Sequence, residues 1–457
     1  MPCFSVYIHL RTGNCAFWSN WRETAEQSRA EDSSRDRLSA GQGMMMLRAL
    51  SFLLVASWAL AADVIDPNDC FEFPCLIFND EFDDGIDENV WEHEISMYGG
   101  RNWEFQVYLN NRSISYTRDS TLFIKPQLTS NWKSEEFLRS GELNLGEACT
   151  ESANYGCWRT GDPDYILNPI MSARLRTLPS FAFRYGRVEV RAKMPRGDWL
   201  WPAIWLLPRN SRYGRWPKSG SIGIAESRDF MRTNLSLYWA GNDDYGGLGH
   251  MQAESSLHWG PNPQINLYPN TQQIYTTEND SSDSSTKNDS PNSSTKNGCL
   301  KRAVETEPCT SETSRNDSFS DNFHTWRLDW TKDKMTFYVD GKEKLMVDPG
   351  KNFWNLSGLG SSLSNPWKSG GKMAPFDQKF YMIMNLAVGG VNGYFPDDVA
   401  SCPPKPWTNH SPHASRDFWN AREWWLPSWE HCEGHISEKA ALQVDYVKVW
   451  KMESIEQ

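Results

Sequence analysis

The amino-acid sequence predicts an all-β protein of antiparallel strands, and three observations indicate this. Apolar and polar residues alternate in short runs, as in 186–192 and 334–339, and alternation with period two is typical of a strand with one buried face. Asp340-Gly341 follows the second run and matches a common two-residue hairpin turn. Only one stretch, about 416–425, shows helical spacing. We therefore expect sheets with at most a short helix.

Composition limits both the fold and its ligands. The chain has 457 residues, 39% hydrophobic and 13% aromatic, which is enough for one large all-β domain. It contains 23 tryptophans, whose flat apolar faces and polar edges can stack on sugar rings, although core packing would use most of them. The net charge of −12 leaves no excess of basic residues to neutralise phosphates. Nucleic acid is therefore a poor partner, and a neutral polysaccharide is compatible.

The N-terminal region predicts secretion. Residues 46–61 place Arg48 before a short apolar run that ends in Ala59-Leu60-Ala61, the layout of a signal peptide, and the run is too short to span a bilayer. We expect a signal peptide over 44–62, extracellular localisation and no membrane span. The mature domain is then 63–457.

The stretch before the signal peptide, residues 1–43, is polar and arginine-rich without periodicity. The cluster Met44-Met45-Met46 offers better start sites, so we interpret 1–43 as an extension produced by an early start assignment. A functional N-terminal extension is the alternative.

Cysteine usage fits an oxidising compartment, because an even set of cysteines follows the signal peptide. The simplest pairing joins neighbours in sequence order, although the sequence leaves the connectivity open. No C-x-x-C pair with partner spacing is present, so we expect neither a structural zinc site nor a cofactor. The cysteines after the signal peptide are Cys70, Cys75, Cys149, Cys157, Cys299, Cys309, Cys402 and Cys432.

A segment from about 275 to 318 changes composition to Ser, Asn, Thr, Asp and Lys, with almost no apolar residue. Such a segment cannot anchor a core, and we interpret it as a solvated loop insertion. N-glycosylation sequons at Asn279, Asn288, Asn292 and Asn316 would cover it with glycans. A tolerated surface insertion without function is the simpler interpretation.

Several segments form recognisable motifs: 78–83 (FNDEFD), 99–106 (GGRNWEFQ), 110–112 (NNR), 187–205 (RVEVRAKMPRGDWLWPAIW), 257–261 (LHWGP), 385–390 (NLAVGG) and 417–422 (DFWNAR). These segments resemble family 16 glycoside hydrolases of the laminarinase type, in their invertebrate β-1,3-glucan-binding branch. The resemblance covers essentially the whole expected mature chain. It implies an antiparallel jelly-roll β-sandwich of the concanavalin A-like lectin and glucanase type, with a glucan groove across one sheet.

The catalytic motif departs from that family. Active members carry E-x-D-x-x-E where this chain has Ser221, Gly223 and Glu226. The resemblance implies that Ser221 replaces the nucleophile, that Gly223 replaces the supporting acid and that Glu226 is a vestigial acid/base. In a strand, Ser221 and Gly223 share a face, and a bulge at Ile224 and Ala225 is needed to bring Glu226 onto it.

These departures predict a loss of hydrolysis. A retaining glycosidase needs two carboxyl groups about 5 to 5.5 Å apart, and loss of the nucleophile typically costs on the order of 10⁵-fold in rate. Ser221 is an unactivated alcohol with no histidine nearby in sequence, so only a histidine adjacent in the fold could serve as its base. Glu226 then remains either as a solvated carboxylate or as a hydrogen-bond acceptor for a sugar hydroxyl.

The same resemblance implies that sugar-binding side chains persist, although plain core packing is the alternative for each aromatic. Aromatic faces bind pyranose rings by apolar contact, and amides and guanidinium groups supply hydrogen bonds. The residues expected to line or support the groove are Trp201, Trp205, Trp216, His258, Trp259, Asn111, Arg112 and Asn385.

The expected function is recognition of β-1,3-glucan from microbial or algal walls by a secreted innate immune protein. Lipopolysaccharide is a second candidate ligand, and a downstream protease or receptor is left unidentified. One alternative is an endo-β-1,3-glucanase with atypical catalytic residues. Another is an adhesive glycoprotein that uses the integrin-type tripeptide Arg196-Gly197-Asp198, although Pro195 and Gly197 favour a simple turn there.

Overall fold

The computed structural model describes residues 62–228, 251–277, 318–361, 363–398, 404–430 and 435–453. The expected N-terminal extension and all but the last residue of the expected signal peptide lie outside this part of the chain, as does most of the 275–318 insertion.

Strands dominate the described residues, and the five α-helices are all short. The strands are β1 (Asp63–Val64), β2 (Cys75–Asp80), β3 (Glu92–His93), β4 (Gln106–Tyr108), β5 (Ser115–Arg118), β6 (Thr121–Ile124), β7 (Gln127–Leu128), β8 (Glu142–Asn144), β9 (Trp158–Thr160), β10 (Ile170–Ser172), β11 (Arg174–Arg176), β12 (Gly186–Lys193), β13 (Leu200–Pro208), β14 (Ser221–Ser227), β15 (Gln252–His258), β16 (Gln272–Thr276), β17 (His324–Trp330), β18 (Met335–Val339), β19 (Lys342–Val347), β20 (Phe380–Val388) and β21 (Leu442–Lys451). The helices are α1 (Thr129–Trp132), α2 (Glu135–Ser140), α3 (Phe353–Ser357), α4 (Ala414–Asn420) and α5 (Arg422–Trp425).

Two large sheets form the sandwich. The seven-stranded sheet has the order β16-β15-β14-β13-β20-β11-β3. The nine-stranded sheet has the order β1-β2-β21-β12-β17-β18-β19, with β6 beside β21 and β5 beside β6. Both sheets are antiparallel throughout, whereas a small flanking sheet, β4-β10-β7, contains a parallel pair. The prediction of an all-β antiparallel jelly-roll β-sandwich is confirmed.

Period-two alternation buries one face of β12 and of its neighbour β17, as the sequence predicts. In β12 the buried residues alternate with partly exposed ones, and Val188, Val190 and Ala192 enter the core. The hairpin between β18 and β19 turns at Asp340-Gly341, where both residues have positive φ. The alternation therefore identified the core face of β12, and the Asp340-Gly341 pair identified the turn.

The short helical stretch and part of the predicted disulfide pattern are also confirmed. Helices α4 and α5 occupy the region of the predicted helix and bury Phe418, Trp419 and Trp425. The expectation that this is the only helical stretch is wrong, because the short helices α1, α2 and α3 lie outside it. Cys70 pairs with Cys75, and Cys149 pairs with Cys157, in sequence order. The other four cysteines of the mature chain lie outside the described residues. None of the helices within the described ranges is long and apolar enough to cross a bilayer.

The Arg196-Gly197-Asp198 tripeptide forms the expected turn between β12 and β13, and its aspartate is enclosed. Asp198 is only 3% exposed. Its amide donates to the Ser428 Oγ, and the Trp429 indole donates to its carbonyl oxygen. A Cβ on Gly197 would lie 2.5 Å from the Trp429 ring. A receptor that reads this tripeptide needs access to its carboxylate, which the fold does not offer.

We expect the folded protein not to compete for tripeptide-dependent cell adhesion, because the Asp198 side chain is buried. A linear peptide spanning 194–200 should compete, since it exposes all three residues. The measurement is inhibition of cell attachment to a peptide-coated surface, with the denatured protein as a positive control. Equal inhibition by the folded protein, abolished by Asp198→Glu, would show that the tripeptide is accessible.

Candidate functional site

The candidate site is built on the central strands of the seven-stranded sheet. On one side of β14, Trp205 faces Gly223 and Ala203 faces Glu226. On the other side, Gly223 faces Ser256 and Glu226 faces Glu254. In both pairings β14 has one residue more than its neighbour between positions 223 and 226. This extra residue is the predicted β-bulge.

The bulge determines which side chains share a face. Because it interrupts the period of two, Ser221, Gly223 and Glu226 all lie on the same face of β14, which we call the site face. Ile224 and Ala225, between them, are buried in the core. The three positions of the catalytic motif are therefore brought together as the sequence predicts.

Ser221 lies opposite the only histidine that the described residues place beside the motif. His258 faces Ser221 across β14 and β15, and burial lowers the pKa of His258 to about 4, so its ring is neutral near pH 7. The Ser221 Oγ, however, accepts a hydrogen bond from the Trp216 indole at 3.1 Å, and the His258 Nδ1 contacts the Asn266 side chain at 2.9 Å. Among the described residues no hydrogen bond joins Ser221 to His258, so the serine lacks the arrangement of an activated nucleophile.

Glu226 sits in an environment that favours its protonated form. The residue is partly buried, and burial followed by the opposing Glu254 raises its pKa to about 8. The Trp201 indole donates to its Oε2 at 3.3 Å, and Arg228 partly offsets the shift. Glu226, the residue that the resemblance predicts as a vestigial acid/base, therefore favours its protonated form near neutral pH.

Glu254 was not among the residues that the sequence singled out. It is buried directly opposite Glu226, and desolvation raises its pKa as well. Arg228 and a 2.7 Å hydrogen bond from the Gln272 side chain both lower the pKa of Glu254. Two carboxyl groups that face each other in a protein interior cannot both ionise easily, so the pair favours the protonated form of at least one of them.

Aromatic rings flank these polar groups on two sides. Trp216, His258 and Tyr268 form a row, with ring centroids 5.6 and 4.8 Å apart in succession. Elsewhere on the site face Trp201 stacks on Tyr394 with centroids 4.0 Å apart. The sequence indicated Trp201, Trp216 and His258 and missed the two tyrosines, which carry no motif of their own.

Trp205 is held in a fixed orientation. Its indole donates to the Asn385 Oδ1 at 2.8 Å, so Asn385 orients the tryptophan. The Arg174 guanidinium lies 5.1 Å from the Trp205 ring and 5.3 Å from the Tyr108 ring, and it pairs with Glu94 at 3.2 Å. Stacking between a buried arginine and an aromatic face restricts the ring, which prepares Trp205 as a rigid platform.

The expectation that Trp259 contacts a ligand needs correction. Trp259 is completely buried, packs against Phe353 and Trp367, and donates its indole N–H to the Thr271 Oγ1 at 2.9 Å. It follows His258 directly and points to the opposite side, into the core. Its role is to support the strand rather than to bind sugar.

Asn111 and Arg112 lie apart from the other predicted binding residues. The Arg112 guanidinium is held by the side chains of Glu88 and Asn110. Asn111 accepts hydrogen bonds from the amide and hydroxyl of Ser113. Neither shares a hydrogen bond or ring contact with the side chains around Glu226 that the structure describes, so their part in binding remains a hypothesis.

Comparisons with known proteins relate this chain to a family. The family model described as Glycosyl hydrolases family 16 matches residues 296–352. A β-1,3-glucan-binding protein of Penaeus monodon is 55% identical over 413 residues, covering 89% of this chain and 98% of that protein. Gram-negative bacteria-binding protein 3 of Drosophila melanogaster is 33% identical, covering 82% of this chain and 64% of that protein.

The Drosophila relative and several other insect relatives are longer than the aligned region. The β-1,3-glucan-binding protein 1 of Galleria mellonella, for example, is 29% identical, and the alignment covers 64% of its length. Among solved structures, the catalytic domain of an endo-1,3-β-glucanase from Thermotoga petrophila matches with a TM-score of 0.43 and 21% identity. That match covers 83% of this chain and 98% of that domain.

The Glu226–Glu254 pair predicts a specific pH dependence of stability. Because the folded pKa of Glu226 is raised from 4.5 to about 8, its contribution to stability is complete below about pH 4.5 and is lost as the pH rises towards 8. The loss of unfolding free energy between pH 6.5 and 8.5 is then on the order of 2 kcal/mol in the wild type, and Glu254→Gln, which removes the opposing charge, should reduce it in part, because burial, the larger cause of the shift, remains.

Chemical denaturation at both pH values measures this difference, in a window above the pH range in which His258 titrates. Glu142→Gln, on an exposed strand position, is the matched control and should leave the wild-type dependence unchanged. An identical pH dependence of the unfolding free energy in wild type and Glu254→Gln would contradict the prediction that Glu254 raises the pKa of Glu226.

Proposed function

Because this chain belongs to the β-1,3-glucan-binding protein family, a branch of glycosyl hydrolases family 16, we propose that it is a secreted pattern-recognition protein that binds β-1,3-glucan without hydrolysing it. The observation that carries this proposal is the composition of the site face. The acid/base glutamate is present there, whereas serine and glycine occupy the two other carboxylate positions, and aromatic side chains flank them.

The missing carboxylates weigh against turnover. Hydrolysis with retention needs an ionised nucleophile at the position of Ser221. Ser221 is instead a buried hydroxyl that accepts a hydrogen bond from Trp216, and the neutral His258 opposite it is not hydrogen-bonded to it. A protonated Glu226 can donate a proton to a leaving group, but without a nucleophile this proton transfer does not lead to hydrolysis with retention.

The remaining side chains suit a neutral sugar chain. Trp205 is fixed by Asn385 and Arg174, so little conformational entropy is lost when a pyranose ring packs on it. Around it lie carboxyl and hydroxyl groups that can exchange hydrogen bonds with sugar hydroxyls. This combination of an apolar platform with a few convergent polar groups is typical of carbohydrate sites.

Recognition outside the cell fits the rest of the chain. The two disulfides of the described residues need an oxidising compartment, and the sequence has the layout of a signal peptide. Similar proteins are named for binding β-1,3-glucan or Gram-negative bacteria, which supports microbial wall glucan as ligand and lipopolysaccharide as a second one. The buried Asp198 weighs against the adhesive alternative.

One observation favours a second candidate function. Glu254 places another carboxyl group opposite Glu226, and an endo-β-1,3-glucanase could use it as an atypical nucleophile. Against this, Glu254 is buried, its pKa is raised, and its Oε2 is engaged by Gln272. Release of reducing sugar from laminarin that disappears on Glu254→Gln would establish this enzyme.

Trp205→Ala should weaken binding to insoluble β-1,3-glucan about tenfold or more, because it removes the apolar platform while leaving the charged groups in place; a tenfold change corresponds to about 1.4 kcal/mol. A pull-down titration measures it. Trp132→Ala is the matched control, since Trp132 is 45% exposed and lies on α1, outside the site. Equal weakening by both substitutions, or by neither, would contradict a glucan site at Trp205.

A further inference from the structure

Three further N-glycosylation sequons lie in the part of the chain that the structure describes, outside the 275–318 insertion. They begin at Asn111, Asn355 and Asn409. The sequence does not separate them, because each has asparagine and serine at the required spacing and none has proline between them. A glycan is bulky and hydrated, so a folded protein accommodates it only where the asparagine amide reaches solvent. The surroundings of each amide therefore distinguish the three sites.

Asn111 lies on an exposed segment between β4 and β5. Both Asn111 and Ser113, the first and last residues of the sequon, are exposed. The backbone N–H and the hydroxyl of Ser113 donate to the Asn111 side chain at 2.8 and 2.9 Å. Because a backbone N–H can only donate, the atom that it contacts is the Oδ1 oxygen. The Nδ2 nitrogen, to which a glycan is attached, is on the other side of the amide.

Asn355 is carried on the exposed side of a short helix. Helix α3 packs on the core through Phe353, which is completely buried, whereas Asn355 and Leu356 are exposed. The backbone N–H of Asn355 donates to the Asn352 Oδ1 at 2.9 Å, which caps the helix and does not involve the Asn355 side chain. A glycan on this side chain would leave both the cap and the packing of α3 intact.

Asn409 differs, because its amide is part of the packed structure. Its Nδ2 donates to the Phe395 carbonyl at 3.0 Å, and its Oδ1 is enclosed by protein. Its backbone N–H donates to the Asp397 carboxylate at 3.0 Å, and the hydroxyl of Ser411, the last residue of the sequon, donates to Asp417 at 3.0 Å. A glycan on this nitrogen would displace the Phe395 contact and require space that protein atoms fill.

We propose that Asn111 and Asn355 carry N-linked glycans and that Asn409 does not. The reaction joins the asparagine Nδ2 to the anomeric carbon of a lipid-linked oligosaccharide, the Nδ2 loses one proton, and the lipid diphosphate leaves. This transfer takes place in the secretory pathway, so the inference rests on the secretion that is part of the proposed function. Chains modified at Asn409 before folding would not complete the fold and would be absent from the secreted protein.

The proposal gives Asn111 a role other than the one that the resemblance implies. A modified Nδ2 has one donor instead of two and is covered by the attached glycan. The neighbouring Arg112 is held by Glu88 and Asn110. The exposed segment 110–113 then carries a sugar chain of its own instead of contributing to the glucan groove.

Peptide mapping of the protein secreted from insect cells tests this assignment. An amidase that releases N-glycans leaves aspartate in place of each modified asparagine, and mass spectrometry then reads each site. We expect aspartate at Asn111 and Asn355 and unchanged asparagine at Asn409. Ser113→Ala keeps Asn111 but removes the sequon, so it should lose one glycan. Thr117→Ala, on β5 and outside any sequon, is the matched control and should lose none.

An unmodified Asn111 or Asn355 in the secreted protein, or a modified Asn409, would overturn the proposal and leave glucan binding standing. Titration with laminarihexaose gives a second readout. Asn111→Gln and Ser113→Ala should bind it with equal affinity, because both lose the same glycan. Weaker binding by Asn111→Gln than by Ser113→Ala would show that the amide contacts the ligand, which would also overturn the proposal. A glycosylated wild-type protein that binds no laminarihexaose would overturn the proposed glucan binding alone.

Discussion

The one-residue bulge in β14 is the constraint on which the site depends. Side chains in a regular strand alternate between faces, so if β14 paired without a bulge Glu226 would point into the core, where Ile224 and Ala225 now pack. The core and the site thus determine each other. Burial of the apolar pair holds the bulge in register, and the bulge holds the glutamate opposite Glu254 on the site face.

The β14 bulge is present although two of the three carboxylates of the family motif are absent from this chain. Serine and glycine at two motif positions remove two charges from a site that still encloses Glu226 and Glu254. Burial raises the pKa of both remaining carboxyl groups, and Arg228 acts in the opposite direction on each.

The sequence predicted the features that depend on local pattern. Alternation indicated the strands, Asp340-Gly341 indicated a hairpin, and the spacing of Ser221 and Glu226 required the bulge that the structure contains. The features that depend on strand register were not accessible, because nothing in the sequence states that Glu254 faces Glu226 or that Tyr394 stacks on Trp201.

Trp259 shows that the sequence pattern does not separate a core tryptophan from a tryptophan of the site. A tryptophan in the core and a tryptophan on a sugar platform look alike in sequence, since both lie in strands beside apolar residues. Only the direction of the side chain separates them, and Trp259 turns into the core immediately after His258 turns out. Arg174 was missed for a related reason, because its stacking on Trp205 joins two strands far apart in sequence.

The central claim, binding of intact glucan on a site that has lost its nucleophile, is tested most directly by the mass of the bound sugar. Laminarihexaose would be incubated at length with a stoichiometric amount of the secreted protein, and the sugar that stays bound would be recovered and weighed by mass spectrometry. The account predicts unshortened hexaose in the bound fraction. Shorter oligosaccharides there, or a bound fraction without sugar, would contradict it.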